Sequence, residues 1–407
     1  MKARESGGQV PVVSLELLKV GAPAAIVDLR SPAEYADDHL PGAVNVPLLD
    51  DEDRAVVGTL YHREGRAAAF REGRTVTLRR VAELVARILE ASSAGGDGGG
   101  AGGVGSGRPV AGPSTESLVA RVEALTAGGL DGLEAELVPH PVAAVPEGGL
   151  VLYCWRGGLR SRSVAALLIG LGLEQVVVLE GGYRSWRQAV RGGLAEWSPP
   201  DAAHTFVLRG LTGVGKTLVL RELERMRPGW TVDLEGLAGH RSSLLGMVGL
   251  KPVSQKSFES DLWRRLADRP PGPLILEGES RKVGDVEIPP RLWEALCGAT
   301  NILLEAPMGR RVAVLMEDYL APATDRGELG RQLAAVATRM GPDHRVMDLW
   351  EAGKVEAMVR ELLLHYYDPL YLRGGEGRPH GMVLEATDPE AAARSLVNLA
   401  EGALPEC

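Results

Sequence analysis

Cysteine is scarce in this chain. Its 407 residues hold three, Cys154, Cys297 and Cys407, odd in number and far apart. No CxxC pair or Cys/His ligand cluster exists, which excludes a structural zinc site of the finger type. A disulfide framework is excluded too, as expected of a protein kept in the reducing cytoplasm. Aromatic residues are few: Phe, Trp and Tyr make up 4%, with only three Phe, so Leu, Val and Ala must fill the cores. Long apolar runs are missing. The longest, around Val164–Leu173, is broken by glycine and too short to span a bilayer, and the opening MKARESGGQVPVVS has no apolar segment of the signal-peptide kind. No membrane partner is expected. Excess positive charge is also missing: 45 Lys and Arg against 54 Asp and Glu give a net charge of −9. Nothing global draws this chain to nucleic acid, so any such partner must be held by local basic clusters.

What is present is enough apolar material, 45% of residues, for two domains at roughly 100–200 residues each. The break is placed at Pro199-Pro200-Asp201, giving domains 1–198 and 199–407. In the first, Ala24–Leu29 reads as a strand, Ser31 as a helix N-cap with Pro32 at the first helical position, and Leu40–Pro47 as a turn and short strand. Val76, Val81, Leu84, Val85, Ile88 and Leu89 have helical spacing, which predicts a helix over Thr75–Ala91. Ser92–Ser114 is mostly Gly, Ala and Ser and reads as a flexible insertion rather than a boundary. Leu118–Leu137 reads as helical, Leu150–Tyr153 as a buried strand, Ser161–Leu171 as a helix, Val176–Leu179 as a strand, and Tyr183–Val190 as a helix. In the second domain, strands are predicted at Thr205–Leu208, Trp230–Leu234, Leu274–Leu276, Ile302–Leu304 and Met382–Leu384. Glu328–Leu363 is expected to be mainly helical, with a break at Gly341-Pro342. Strand–helix alternation of this kind gives an α/β chain with mostly parallel, doubly wound sheets and a helical C-terminal region.

Two loops carry chemistry. The first is Tyr153-Cys154-Trp155-Arg156-Gly157-Gly158-Leu159-Arg160-Ser161. A strand delivers Cys154, and Gly157 and Gly158 let the backbone curl so that its N–H groups form an anion nest. The positive end of the next helix and the charges of Arg156 and Arg160 favour a thiolate. An inert core cysteine needs none of this. Cys297, in WEALCGAT, reads as plain core, and Cys407 is terminal.

The second is Gly210-Leu211-Thr212-Gly213-Val214-Gly215-Lys216-Thr217, which fits GxxxxGK[ST] between a strand and an amphipathic helix. Its backbone cradles phosphates, Lys216 adds a point charge, and Thr217 is a candidate Mg²⁺ ligand. Leu274–Glu279 has the place of a Walker B strand but ends in Glu277 and Glu279, either a metal or water partner or simply a strand end, with Arg281 nearby as a further acid/base or supporting candidate. The metal stays open at this point. Any diphosphate suits such a loop, a prenyl diphosphate included.

The cysteine loop resembles the rhodanese superfamily. Asp28-Leu29-Arg30, Glu34-Tyr35 and His39–Pro47 are similar to the first rhodanese sequence block, and Glu180-Gly181-Gly182-Tyr183 with Trp186 to the last. In that superfamily the loop cysteine carries a persulfide or related adduct. Asp28 and Arg30 read as a buried structural ion pair. A rhodanese unit followed by a P-loop unit is similar to the bacterial tRNA 2-selenouridine synthases. Three further blocks repeat that family's motifs: Leu234–Arg241, Glu277–Gly284 and Tyr367–Tyr371. The resemblance implies a rhodanese-like domain joined to a P-loop NTPase-like domain. It also implies action on the wobble 2-thiouridine of tRNA, which is geranylated from geranyl diphosphate and then receives selenium from selenophosphate. The donors are expected at the P-loop and at Cys154 respectively. The tRNA is expected to lie across both domains, on Arg156, Arg160, Arg162, Arg184 and Arg187, and on Arg241, Arg264, Arg265, Arg281 and Lys282. Three other readings stay open: a cysteine phosphatase, since Cys154 to Arg160 is C-x5-R; a plain sulfurtransferase fused to a nucleotide-binding module; and a nucleotide-sensing binding protein.

Overall fold

The computed structural model describes residues 9–94, 113–240, 250–319, 325–375 and 380–402. Most of the Gly-rich stretch, Arg241 and Cys407 lie outside them. The chain forms two compact units, Met1–Ala189 and Val190–Cys407. The division falls inside the helix Tyr183–Glu196, upstream of Pro199-Pro200.

The first unit is built on six strands: β1 (Gln9–Val13), β2 (Ala25–Asp28), β3 (Ala43–Asn45), β4 (Val138–Pro141), β5 (Leu150–Tyr153) and β6 (Val176–Leu179). Their order is β3-β2-β5-β6-β1-β4, and every pairing is parallel. β5 and β6 are apolar throughout and buried at every position, as strands covered on both faces must be. One cover is the long helix Arg66–Ala94. Its Val81, Leu84, Val85 and Ile88, at i, i+3, i+4 and i+7, are buried against Val27, Leu152 and Val178. The helix Pro32–Asp37 begins as expected: Ser31 Oγ accepts the Glu34 N–H, Glu34 Oε2 accepts the Ser31 N–H, and Pro32 stands at the start.

Several elements differ from expectation. β1 was not foreseen, because Pro11 inside an apolar run argues against an inner strand, yet β1 lies between β6 and β4. β4 (VPHP) is exposed at every position and closes the sheet edge. Leu118–Leu137 divides into the helices Thr115–Thr126 and Gly129–Glu136, with Gly129 at φ 68° opening the second. The helix Asp51–Glu64 has no fully buried residue and hence no apolar stripe to reveal it. It is capped by Asp50, whose Oδ1 accepts the Asp53 N–H at 2.8 Å.

The second unit holds β7 (Thr205–Arg209), β8 (Thr231–Val232), β9 (Leu274–Glu277), the antiparallel hairpin β10 (Lys282–Val283) and β11 (Val286–Glu287), β12 (Thr300–Glu305) and β13 (Met382–Glu385). The main sheet is parallel throughout, in the order β13-β12-β7-β9-β8. The chain leaves β7 for β8 and β9 on one side and later returns to β12 on the other. The carboxyl end of β7 is therefore a switch point, where such sheets bind ligands. The strand expected at Trp230–Leu234 keeps only two residues, because Asp233 instead caps the helix Leu234–Ala238, its Oδ1 accepting the Gly236 N–H at 2.7 Å. The helical region follows β12. The helix Arg326–Met340 stops at Gly341, with φ 95°, and then come Val346–Glu351 and Val355–Leu362. Leu329, Leu333, Val336, Val359 and Leu362 give this region a core of its own.

Candidate active site

Cys154 follows the last residue of β5, an inner strand of the first sheet. Two carbonyls of its loop are fixed by the segment after β6: the Tyr183 N–H donates to Cys154 O at 2.9 Å and the Arg184 N–H to Trp155 O at 3.0 Å. The approach is close enough to require glycine on both sides. A Cβ on Gly182, at φ 57°, would stand 2.2 Å from Cys154 O, and one on Gly157, at φ 60°, would stand 2.4 Å from Leu179 O. Gly158 differs from expectation: its φ is −95° and a Cβ there would meet nothing. Its place is the N-cap of the helix Leu159–Gly170, with Leu159 packed against the core.

Cys154 is 3% exposed, deeper than a surface nucleophile. Burial alone would push the thiol up. The Arg160 charge, the Ser161 hydroxyl at 3.3 Å and the amides of Arg156 and Ser161 together outweigh it, and the thiol titrates below its ordinary value. The amides thus face the sulfur, as an anion nest requires. Beneath the loop, Asp28 and Arg30 form a buried pair, joined at 2.6 Å. Arg30 also donates to Asp38 O and lies 3.7 Å from the Tyr183 ring centroid, while the Tyr183 hydroxyl donates to Asp38 Oδ2. This pair is structural, as expected. Tyr153, where a cysteine phosphatase of this pattern usually has His, is fully buried, its hydroxyl accepting the Leu40 N–H. Cys297 is exposed at the end of the helix Pro290–Gly298 rather than in the core. The buried positions of that helix are Leu292, Ala295 and Leu296, and Cys297 falls one step past that stripe.

Of the first basic cluster, Arg156 and Arg184 are exposed. Arg160 pairs with Glu34 at 3.7 Å, Arg187 with Asp38 at 3.5 Å, and Arg162 donates to the carbonyls of Gly157 and Leu137. Three of the five therefore brace the loop and its surroundings. In the second cluster, Arg265 is committed to Glu224 and Thr231, and Arg264 pairs with Asp261, whereas Arg281 and Lys282 line the phosphate-loop cavity.

That cavity, about 1570 Å³, opens at the carboxyl end of β7. Gly210, Gly213 and Gly215 adopt φ of 152°, 78° and 94°, and a Cβ on the first two would meet Leu304 O and Arg311 O at 2.6 and 2.7 Å. Val214 is buried, and its N–H closes a turn on Leu211 O. Gly215 caps the helix Lys216–Met226, whose N-terminus and Thr217 line the cavity. Lys216 Nζ donates to Gly210 O at 3.3 Å. Sequence reasoning assigned no role to the residues that hold this loop from outside. Arg311 donates to Thr212 O at 2.9 Å and pairs with Asp368, while the Tyr371 hydroxyl accepts the Gly210 N–H at 2.9 Å. Asp368 and Tyr371 fall in the Tyr367–Tyr371 block, and that block was their signal.

Glu277 ends β9 beside β7 and is wholly buried. Glu279 follows it, and Glu235 stands on the short helix after β8. One oxygen from each lies within 4.8 Å of the others. Burial, then Glu235, Asp233 and Glu279, hold the Glu277 carboxyl well above its usual range against the pull of Lys216. Burial lowers Lys216, but Glu279, Glu277, Glu235 and Tyr371 more than reverse this, so its ammonium is retained. Glu235 falls in the Leu234–Arg241 block, and that block was its signal; the strand expected through Leu234 hid its place on a helix at the sheet's carboxyl edge.

With this geometry in hand, comparison with known proteins places the chain. Residues 14–72 and 130–189 match the family model described as Rhodanese-like domain, and residues 203–340 match the one described as tRNA 2-selenouridine synthase AAA domain. A Cupriavidus necator protein named tRNA 2-selenouridine synthase is 30% identical over 381 residues, 85% of this chain and 87% of that protein. The chain belongs to the tRNA 2-selenouridine synthase family. Proteins of the same name from Chromohalobacter salexigens and Nitrosomonas europaea are 29% and 27% identical, covering 87% and 86% of this chain and 89% of each relative. Family membership fits an enzyme built from a rhodanese-like unit and a P-loop unit. The gap in the rhodanese match, 73–129, takes in most of the helix Arg66–Ala94, the Gly-rich stretch and the helix Thr115–Thr126.

Proposed function

We propose that this enzyme modifies tRNA, converting a wobble 2-thiouridine to 2-selenouridine through an S-geranyl-2-thiouridine intermediate. In the first half, the thiouridine sulfur attacks the first carbon of geranyl diphosphate, the carbon–oxygen bond breaks and pyrophosphate leaves. The P-loop is the group we assign to that diphosphate: amides and Lys216 balance a charge that grows on the leaving oxygens. The same cavity is lined by Trp293, Val314, Leu315, Tyr366 and Leu370, an apolar surface suited to a prenyl chain. In the second half, the selenium of selenophosphate attacks the base carbon that carries the geranylthio group and the geranylthiolate leaves; the selenium–phosphorus bond then breaks, with water taking the phosphoryl group as inorganic phosphate. We assign the Cys154 loop to that anionic donor. One observation carries the proposal: a lowered cysteine thiol in a nest of amides and a phosphate loop with an apolar-walled cavity occur in one chain of this family. Among the described residues no helix is long and apolar enough to cross a membrane. The cytoplasm, where tRNA is found, is the compartment we propose.

Mass spectrometry of 2-thiouridine tRNA incubated with the protein, geranyl diphosphate and selenophosphate tests this. The wild type is expected to yield the geranylated and then the selenated nucleoside. Cys154→Ala is expected to stop at the geranylated product, and Lys216→Ala to lose most of it. An unmodified tRNA with the wild type, alongside rapid thiosulfate:cyanide transfer or phosphate-monoester turnover, would replace the proposal with a sulfurtransferase or a phosphatase.

A further inference from the structure

We propose that Glu235, Glu277 and Glu279 form a binding site for a hard divalent cation, of the Mg²⁺ or Mn²⁺ type, beside Lys216 in the phosphate-loop cavity. Their carboxylate oxygens lie within 4.8 Å of one another, close enough for a single ion to touch all three. Glu277 is wholly buried, and although its Oε2 accepts the Glu235 N–H at 3.2 Å, its Oε1 has no hydrogen-bond partner among the described residues. A buried carboxylate oxygen left unpaired is costly, and a cation is the partner that removes the cost. The charges agree. Three carboxylates gather beside Lys216, a concentration of negative charge that a divalent cation relieves.

The donor set selects the ion. Oxygen ligands alone suit Mg²⁺, Mn²⁺ or Ca²⁺ and disfavour softer metals. Three protein ligands leave other positions for water and for a phosphate held by the same loop. The arrangement is not the one the loop motif implies by itself, a threonine with a single acid after the neighbouring strand. Glu235 comes from a different element, the helix Leu234–Ala238, which exists because Asp233 caps it. The inference deepens the diphosphate-binding role proposed for this cavity, but it needs neither geranyl diphosphate nor tRNA.

The test is Mn²⁺ binding to the full chain, followed by loss of the free-ion electron paramagnetic resonance signal, with Mg²⁺ as competitor. One ion per chain is expected. Glu235→Gln and Glu279→Gln, both at half-buried positions, are each expected to weaken it at least about tenfold, since loss of even an outer partner of a metal ligand costs that much. Glu277→Gln is expected to do the same, and the other two variants keep the test decisive if this buried change unfolds the unit. Inorganic pyrophosphate is expected to tighten Mn²⁺ binding in the wild type. Absence of saturable binding overturns the proposal, as does unchanged affinity in either Glu235→Gln or Glu279→Gln. Binding lost in Thr217→Ala but kept in both glutamine variants also overturns it and moves the ion to the loop hydroxyl. If Mn²⁺ binds as described while no geranylated tRNA forms, the cation site stands and the prenyl reading fails.

Discussion

At the residue scale, Cys154 is a contest between burial and charge. With 3% exposure, the sulfur loses most of its hydration, which favours the neutral thiol. Arg160 heads the opposing causes, ahead of the Ser161 hydroxyl and the amides of Arg156 and Ser161. Arg160→Gln removes that charge and leaves burial in place, so the midpoint of thiolate formation is expected to rise. The ultraviolet absorbance of the thiolate against pH reads it directly, and an unmoved midpoint would assign the lowering to the amides instead. The link to stability has a definite sign. A thiol lowered in the folded state adds stability above its unfolded value, about 8.5, and loses it as pH falls through the lowered folded value. In Arg160→Gln that window should narrow. The chemistry of this position was readable from the sequence, because two arginines and two glycines within six residues of a cysteine have few other uses. Its depth was not readable, because burial here depends on the segment Gly181–Arg184, which reaches the loop only through the parallel pairing of β5 and β6.

Elements carry the same lesson. The strands visible in the sequence were those with unbroken apolar runs, such as β5, β6 and β9, since a strand buried on both faces must be apolar throughout. β1 and β4 contain prolines, and the helix Asp51–Glu64 lacks a buried face, so local pattern pointed elsewhere. The junction after β6, similar to the last rhodanese block, is a packing requirement of the fold. Gly182 touches the Cys154 carbonyl so closely that Gly182→Ala must move one of them, and its φ of 57° is costly for any side chain. This variant is expected to lose about 1–3 kcal/mol from backbone conformation alone, with more from the clash, and to lose the lowered Cys154 titration. Thermal unfolding measures the first and thiolate absorbance the second. Gly158→Ala, whose Cβ meets nothing, is expected to leave both nearly unchanged. Equal damage from the two would mean that the close approach of the loop and the β6 segment does not fix the sulfur's surroundings.

For the whole molecule the governing quantity is charge. A chain with net charge −9 repels a polyanion at long range, so an RNA must be held by a few cations at short range and at a steep cost in salt. The sequence named ten such residues, and the fold removes several. Arg162, Arg187 and Arg265 spend their guanidinium groups on protein carbonyls and carboxylates, and Arg160 is divided between Glu34 and the Cys154 sulfur. No single-sequence pattern distinguishes an arginine that braces a loop from one that meets a partner, because the difference lies in which carbonyl comes within reach after folding. Arg156 and Arg184 remain exposed on the segments that flank the sulfur. If the proposed tRNA reaches Cys154, its phosphates must pass these two. Arg156→Ala and Arg184→Ala are each expected to weaken tRNA binding at low salt. Each should also flatten the plot of log affinity against log salt by about 0.7–0.9, the share of one released counterion. The double variant should flatten it by the sum, with thermal stability unchanged, since neither side chain is buried. A slope that stays at the wild-type value in the double variant would place the RNA on another face of the protein and leave the cysteine loop without its macromolecular substrate.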